Sequence, residues 1–332
     1  MSTITLSISD AEARISAALE RCKTAPENAG IVARALVAAE ADGLKGHGFS
    51  RVPSYAAQAK IGKVDGMAMP SVEHATPSLI RIDARHGFAY PAIEAAVEAL
   101  KDAAPMMGVA VAAIRRSHHC GVAGHPVERL AEAGLVAMLF ANTPAAMAPW
   151  GGKTATFGTN PIAFACPLPG QPPIVIDLSL SKVARGNILA AKQKGQPIPE
   201  GWAIDSDGRP TTDADAALKG TMLPLGDAKG TALALMVELL AAGLTGAVFA
   251  ADATSFLDDK GGPPGTGQLL IAFDPKMIGG PGAVAHFGHL AAQITAQEGA
   301  RLPGNRRMDL RAKAGREGLT LSSALLAEID AL

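Results

Sequence analysis

Gly46-His47-Gly48-Phe49-Ser50-Arg51 is the nearest this chain comes to a dinucleotide-binding fingerprint. A GxGxxG turn needs its third glycine for close helix–strand packing under the pyrophosphate, and none follows here, so a Rossmann fold has no local support. The stretch belongs instead to a glycine-rich loop, 44–53, that carries a histidine and an arginine. Before it, Ser9-Asp10-Ala11-Glu12 and Thr24-Ala25-Pro26-Glu27 both have capping-box spacing. Apolar residues at helical intervals follow, such as Ile31, Ala35, Leu36 and Ala39. Two opening helices are predicted, the second stopping near Gly43, where glycine suits the left-handed conformation of a helix end.

Beyond the loop, 91–102 reads as a helix and 108–114 as a short buried strand ending at Arg115-Arg116-Ser117-His118-His119-Cys120-Gly121. A helix is predicted from Pro126 to Ala133, and strands over 135–141, 162–167 and 173–178, the last two separated by a Pro-Gly turn. Residues 192–221 are polar and rich in turns. A flexible loop, 261–267, precedes a strand at 268–274, and a final helical region ends in a basic tail. The most apolar stretch, 230–251, is nearly long enough to cross a bilayer but carries Glu238 centrally, with Gly243 and Gly246. A charge at mid-membrane is costly, so a buried helix is the reading.

With 332 residues, and about 100–200 residues per domain, the chain is expected to form two domains or one interleaved body. Its 30 Lys and Arg against 31 Asp and Glu leave no net field to draw it onto nucleic acid or an anionic membrane, so small-molecule work is the expectation. Cys22, Cys120 and Cys166 are odd in number and scattered, which argues for a reducing compartment over a disulfide framework. The first residues lack the basic start and continuous apolar core of a signal peptide, so a cytoplasmic location is expected.

Several motifs fail. Gly152-Lys153-Thr154 resembles the end of a P-loop, but Met147 stands where the first glycine is required. Asp205, Asp207 and Gly208 begin like a calcium loop and lack the following acidic ligand, leaving an ordinary turn. His118, His119, Cys120 and His125 match no zinc spacing, and adjacent histidines on an extended segment point opposite ways, so no metal is expected.

These residues do resemble the malate and L-lactate dehydrogenase family that is unrelated to the Rossmann enzymes. The resemblance covers essentially the whole chain in order. Its Ser-His-Gly-x-x-Arg segment reads Gly46-His47-Gly48-Phe49-Ser50-Arg51 here, and its Ser-x-His-x-Gly-x-Ala-Gly segment is matched from Ser117 to Gly124. Gly158-Thr159-Asn160-Pro161 follows, then Asp177-Leu178-Ser179-Leu180-Ser181 with Arg185-Gly186, Ile198-Pro199-Glu200-Gly201-Trp202, Lys229-Gly230 with Glu238, and Arg301-Leu302-Pro303-Gly304. The resemblance implies an α/β, non-Rossmann nicotinamide-binding fold with a largely antiparallel sheet. A helical second domain, 1–76 with 296–332, would help form a homodimer, and 77–295 would bind the cofactor.

Reduction of a C=O or C=N bond needs a hydride donor, a grip on the substrate carboxylate and a proton donor. A histidine titrates near neutrality, so His47 suits the last role. Arg51 can hold a carboxylate through two parallel hydrogen bonds worth about 1.5–3 kcal/mol each. Thr159 and Asn160 sit in a turn where they could touch substrate or the nicotinamide carboxamide. The segment His119, Cys120, Gly121, Val122 and Ala123 runs from a strand end towards a helix start, where free amides favour phosphate. By resemblance it contacts cofactor, as do Asp177, Leu178 and Ser179. Lys229 and Gly230, with Gly304, Asn305, Arg306 and their neighbours Pro303 and Arg307, would complete the phosphate site. Lys182, Arg185, Arg306 and Arg307 give enough positive charge for NADPH, with NADH also admissible.

The chain departs from the family twice. Gly46 replaces the usual Ser before the histidine, and Asn187 stands where the ketimine-reducing branch has an Asp, so a Ser-His-Asp relay is in doubt: an amide can orient an imidazole but cannot support its charge. A cyclic imine can arrive already protonated, and the loop ending at Tyr55 looks like the branch that reduces Δ1-pyrroline-2-carboxylate and Δ1-piperideine-2-carboxylate to proline and pipecolate. That reaction is the expectation, with His47 and Asn187 as the catalytic pair. A dehydrogenase acting on malate, lactate or 2,3-diketogulonate shares every motif, and a non-catalytic cofactor-binding relative is a further alternative.

Overall fold

Apolar side chains alternate along Ala110, Ala112 and Ile114, all buried on one face of a strand, while Val111 and Ala113 pack on the other. A strand covered on both faces belongs in the middle of a sheet, and there the computed structural model, which describes residues 2–332, places it. The chain opens with β1 (Thr3–Leu6), α1 (Ile8–Arg21), α2 (Pro26–Ala41) and α3 (Val52–Ile61), with two single 3-10 turns, Lys45–His47 and Phe49–Arg51, between α2 and α3. Next come β2 (Ser71–Thr76), β3 (Leu79–Asp83), α4 (Ala89–Met107), β4 (Val109–Ser117), α5 (Gly124–Glu132), β5 (Val136–Ala141), β6 (Ile162–Leu168) and β7 (Gln171–Leu178). A small lobe holds α6 (Arg185–Gln193), β8 (Ala203–Ile204), β9 (Pro210–Thr211), α7 (Ala214–Lys219) and β10 (Thr221–Met222). The chain then runs through α8 (Ala228–Glu238), β11 (Thr266–Phe273), α9 (Pro275–Gly279), α10 (Ala283–Thr295), α11 (Asn305–Glu317), β12 (Leu319–Ser322) and α12 (Ser323–Asp330).

The large sheet has the order β2-β3-β4-β11-β5-β6-β7, and every pairing is antiparallel except β3 with β4. The fold is thus α/β with a largely antiparallel sheet, as the resemblance implies. α4 and α5 cover one face, burying Ile80, Ile82, Leu100, Ile114, Leu130 and Leu139. Each such side chain contributes about 1.5–3 kcal/mol. α8 and the π-helical turn Leu239–Gly243 cover part of the other. A separate core joins α1, α2 and α3 to the C-terminal segment through Ile15, Leu19, Leu36, Tyr55, Leu326 and Ile329, and β1 pairs with β12.

Local details differ from the sequence reading. The cap of α1 is Ser7, which accepts from the Asp10 amide, rather than Ser9. α2 is capped by Ala25 with no side-chain bond; Pro26 starts it, and the Thr24 hydroxyl is buried without a partner. Residues 230–251 do not form one helix. α8 ends at Glu238, whose carboxylate is drawn into bonds with Asn142, Asn160 and the Ala250 amide, and a π turn follows. Among the described residues no helix is long and apolar enough to cross a membrane.

Candidate active site

The loop after α2 is shaped by Glu40. Its Oε2 accepts from the Phe49 amide at 3.1 Å, and a Cβ at Gly48 would lie 2.2 Å from that oxygen, so only glycine lets the chain pass. Burial raises the Glu40 carboxyl above its ordinary value, partly offset by the Phe49 bond. The two 3-10 turns then present His47 and Arg51 from one short segment. Arg51 Nε donates to the Gly46 carbonyl at 2.7 Å, while its two Nη groups make no hydrogen bond or ion pair among the described residues. The guanidinium fork is thereby held by its stem and left free to bind an anion.

His47 stacks on His119, ring centroids 5.2 Å apart and planes 13° from parallel. Its Nδ1 is buried without a partner. Loss of surrounding water, with Arg51 and then His125 adding positive charge, lowers its pKa to about 4, so the ring is neutral at pH 7. His118 is sealed in: burial, then Lys63 and Arg51, lower it to about 3. His119 falls well below the usual value for the same first cause, burial. All three imidazoles are therefore neutral, and the Arg51 charge contributes to each lowering.

Aromatic rings and a buried cation hold this group. The Tyr55 hydroxyl is 2.6 Å from His119 Nδ1 and 3.2 Å from the Tyr90 hydroxyl. Phe256 packs on His118 and His119 at centroid distances of 5.0 and 5.3 Å. Gln58 bonds His118 Nε2 through its oxygen and donates to the Phe256 carbonyl. Lys63, with no exposed side-chain surface, donates to the carbonyls of Ser255, Asp258 and Lys260, pinning the segment that carries Phe256. Burying an ammonium this way is tolerable only because each donor finds an oxygen. None of Tyr90, Phe256, Lys63 or Gln58 was singled out as a site residue in the sequence, because nothing in their spacing brings them together.

Thr159 follows Gly158, where a Cβ would lie 2.1 Å from Thr143 Oγ1. The Thr159 amide donates to that hydroxyl at 2.9 Å, and Asn160, at φ 39°, is locked by Glu238 and the Ala234 carbonyl. Asn160 is fully buried and faces the core rather than a ligand.

At the start of α5 the first amide, Gly124 N–H, donates to Asp177 Oδ2 at 2.7 Å. His119, Cys120, Gly121, Val122 and Ala123 are all buried, whereas Leu178 is exposed and Ser179 bonds Ser181. Lys229 is exposed at the start of α8, and Gly230 must be glycine because a Cβ would meet the Leu225 carbonyl at 1.8 Å. Gly304, at φ 95°, begins α11 with no side-chain cap, and Asn305 and Arg306 are exposed in its first turn. Arg307 and Arg311 turn inward to Asp42 and Glu128, tying α11 to α2 and α5. Asn187, exposed in the first turn of α6, makes no hydrogen bond to His47. The structure thus brings His47, Arg51 and His119 together, and Asn187 has no side-chain hydrogen bond to any of them. Among the described residues no cluster of three or more His, Cys, Asp or Glu is arranged to hold a metal.

A largely antiparallel sheet without a Rossmann turn, joined to a helical body that contributes a histidine and an arginine from one loop, defines a non-Rossmann oxidoreductase. The chain belongs to the malate/L-lactate dehydrogenase family, whose model matches residues 6–330. It is 54% identical to the (2R)-3-sulfolactate dehydrogenase (NADP(+)) of Chromohalobacter salexigens over 326 residues, 98% of this chain and 97% of that one. It is 42% identical to the Δ1-pyrroline-2-carboxylate/Δ1-piperideine-2-carboxylate reductase of Pseudomonas aeruginosa over 91% of each chain. The Δ1-piperideine-2-carboxylate reductase structure from Pseudomonas syringae superposes with a TM-score of 0.94 at 39% identity, covering 99% of each chain.

Proposed function

We propose that this oxidoreductase interconverts a 2-hydroxy acid and its 2-oxo acid with NADP(H), and that the acid carries a second anionic group, with 3-sulfolactate as the substrate. The 54% identity to a sulfolactate dehydrogenase is the observation that carries the choice. The site's charge supports it. His47, neutral with its pKa near 4, can accept the proton of a 2-hydroxyl, and the imidazolium so formed sits beside Arg51. Two negative charges on the substrate stabilise that imidazolium; one holds the Arg51 fork and the other offsets the remaining positive charge. A protonated imine brings a further cation into the same pocket, where no carboxylate hydrogen-bonds His47 or His119 among the described residues.

Arg51 grips the carboxylate, His47 moves the proton at the C2 oxygen, and Thr159 lines the substrate. When bound, the nicotinamide gives or takes the hydride at C2. His119, Cys120, Gly121, Val122 and Ala123 with Asp177, Leu178 and Ser179 would contact it. The uncapped start of α11 with Gly304, Asn305 and Arg306, together with Lys229 and Gly230, would take its phosphates, since an uncapped helix N-terminus beside an exposed arginine fits an anion. The body 1–76 with 296–332 would serve the substrate and the contact between subunits of a homodimer, and 77–295 would hold the cofactor.

The test is NADP+ reduction with (2R)-3-sulfolactate, malate and lactate, beside NADPH oxidation with the two cyclic imines, each repeated with NAD(H). Sulfolactate is expected to give the highest kcat/KM. The reading is overturned if either imine outruns every hydroxy acid. Cyclic-imine reduction is the second reading, favoured by the piperideine-2-carboxylate reductase superposition and by the missing relay partners, Gly46 and Asn187.

A further inference from the structure

The hydroxyls of Tyr90 and Tyr55 and the ring of His119 form one chain, 3.2 Å then 2.6 Å long, inside the protein. Three protons occupy it: one on each hydroxyl and one on the neutral ring. Burial keeps both phenols protonated, pushing Tyr55 up to about 12 and Tyr90 well above its ordinary value. The ring has two tautomers. If it carries its proton on Nδ1, it donates to Tyr55, and whichever way the two hydroxyls point, one of their protons has no acceptor, since neither tyrosine has another hydrogen-bond partner among the described residues. If Tyr90 donates to Tyr55 and Tyr55 to Nδ1, every hydroxyl proton is bonded and the ring proton must sit on Nε2.

The surroundings are built to keep this order. Gly121, at φ 69°, is the loop residue against Tyr90, and a Cβ there would lie 2.5 Å from the Tyr90 hydroxyl. His47 and Phe256, with centroids 5.2 and 5.3 Å from His119, restrict rotation of its ring. His119 Nε2 has no protein partner among the described residues and, unlike Nδ1 of His47 and of His118, is not sealed away.

We propose that Tyr55 is a positioning residue: with Tyr90 behind it, it fixes His119 as the Nε2–H tautomer, so that His119 offers a hydrogen-bond donor to a carbonyl-type oxygen held next to His47. The oxygen's identity rests on the functional reading above; the tautomer does not.

The experiment uses the full chain labelled with 15N-histidine, with His119 assigned by comparison with His119→Gln. Two-bond 15N–1H correlations are expected to show a bare Nδ1 and a protonated Nε2 for His119. Tyr55→Phe keeps the ring and its packing while removing the donor. It should produce a tautomer mixture and, with the acid the wild type turns over best, a kcat about 2- to 10-fold lower with NADPH affinity little changed, the effect of one hydrogen bond. Tyr90→Phe should move both readouts in the same direction and less far. An Nδ1–H pattern in the wild type overturns the proposal, as does a Tyr55→Phe protein whose His119 spectrum and kcat match the wild type. A wild type that turns over none of the acids or imines, yet shows the Nε2–H pattern, overturns the functional reading and upholds the tautomer.

Discussion

Acidification should destabilise this protein through His118, and the size of the effect follows from its burial. The ring is 1% exposed, Nε2 is bonded to Gln58, Nδ1 has no partner, and the buried Lys63 ammonium adds repulsion. The folded protein therefore refuses a proton until about pH 3, whereas the unfolded chain takes one up near the ordinary histidine value of 6.5. Because the folded pKa is depressed, stability is complete above about pH 6.5 and falls as the pH drops, by about 1.4 kcal/mol per unit between the two values. At pH 5 the loss from this residue alone is about 2 kcal/mol. Urea unfolding of wild type and His118→Gln at pH 8, 6.5 and 5 measures it. Glutamine keeps a polar group opposite Gln58 and does not titrate, so the variant, whatever its stability at pH 8, should lose about 2 kcal/mol less than wild type on going to pH 5. His47 and His119 add their own share to both proteins and cancel in the comparison. An equal pH-dependent loss in the two proteins would refute the reasoning.

Arg51→Ala removes both free donors of the fork, and kcat/KM for the best acid should fall at least about 100-fold through KM, with NADPH affinity measured by fluorescence little changed. Losing that cation also raises the His47 pKa, so the acid limb of the kcat/KM profile should move to higher pH. The two glycines flanking His47 should respond in opposite ways to a side chain. Gly46→Ser finds nothing within 4 Å of its new Cβ and should fold with stability within about 0.5 kcal/mol of wild type. Gly48→Ala, driven into Glu40 Oε2, should cost about 1–3 kcal/mol, and thermal or urea melts of the two variants separate these outcomes.

Much of the site was legible because it lies in short contiguous segments. Gly46 to Arg51 places an imidazole and a guanidinium four residues apart, and two tight 3-10 turns keep them on one side; local chain geometry suffices for that. The strand and helix beginning at Val109 and Gly124 were equally readable from apolar runs and from the break between them. Contacts made across the sheet were not. Lys63 and Phe256 are nearly two hundred positions apart, and no periodicity links them. β11 inserts between β4 and β5 although it follows them by more than a hundred residues, so strand order could not be taken from strand sequence.

Which residue types stand at the loop and strand ends, the family, and the absence of a Rossmann turn could all be read from residue order alone, since these depend on local conformation along the chain. The charge state of the three histidines, and the proton order proposed for the Tyr90–Tyr55–His119 chain, depend on the folded structure. A pKa and a tautomer are set by removal of water and by partners brought from distant segments, and neither exists until the core has closed.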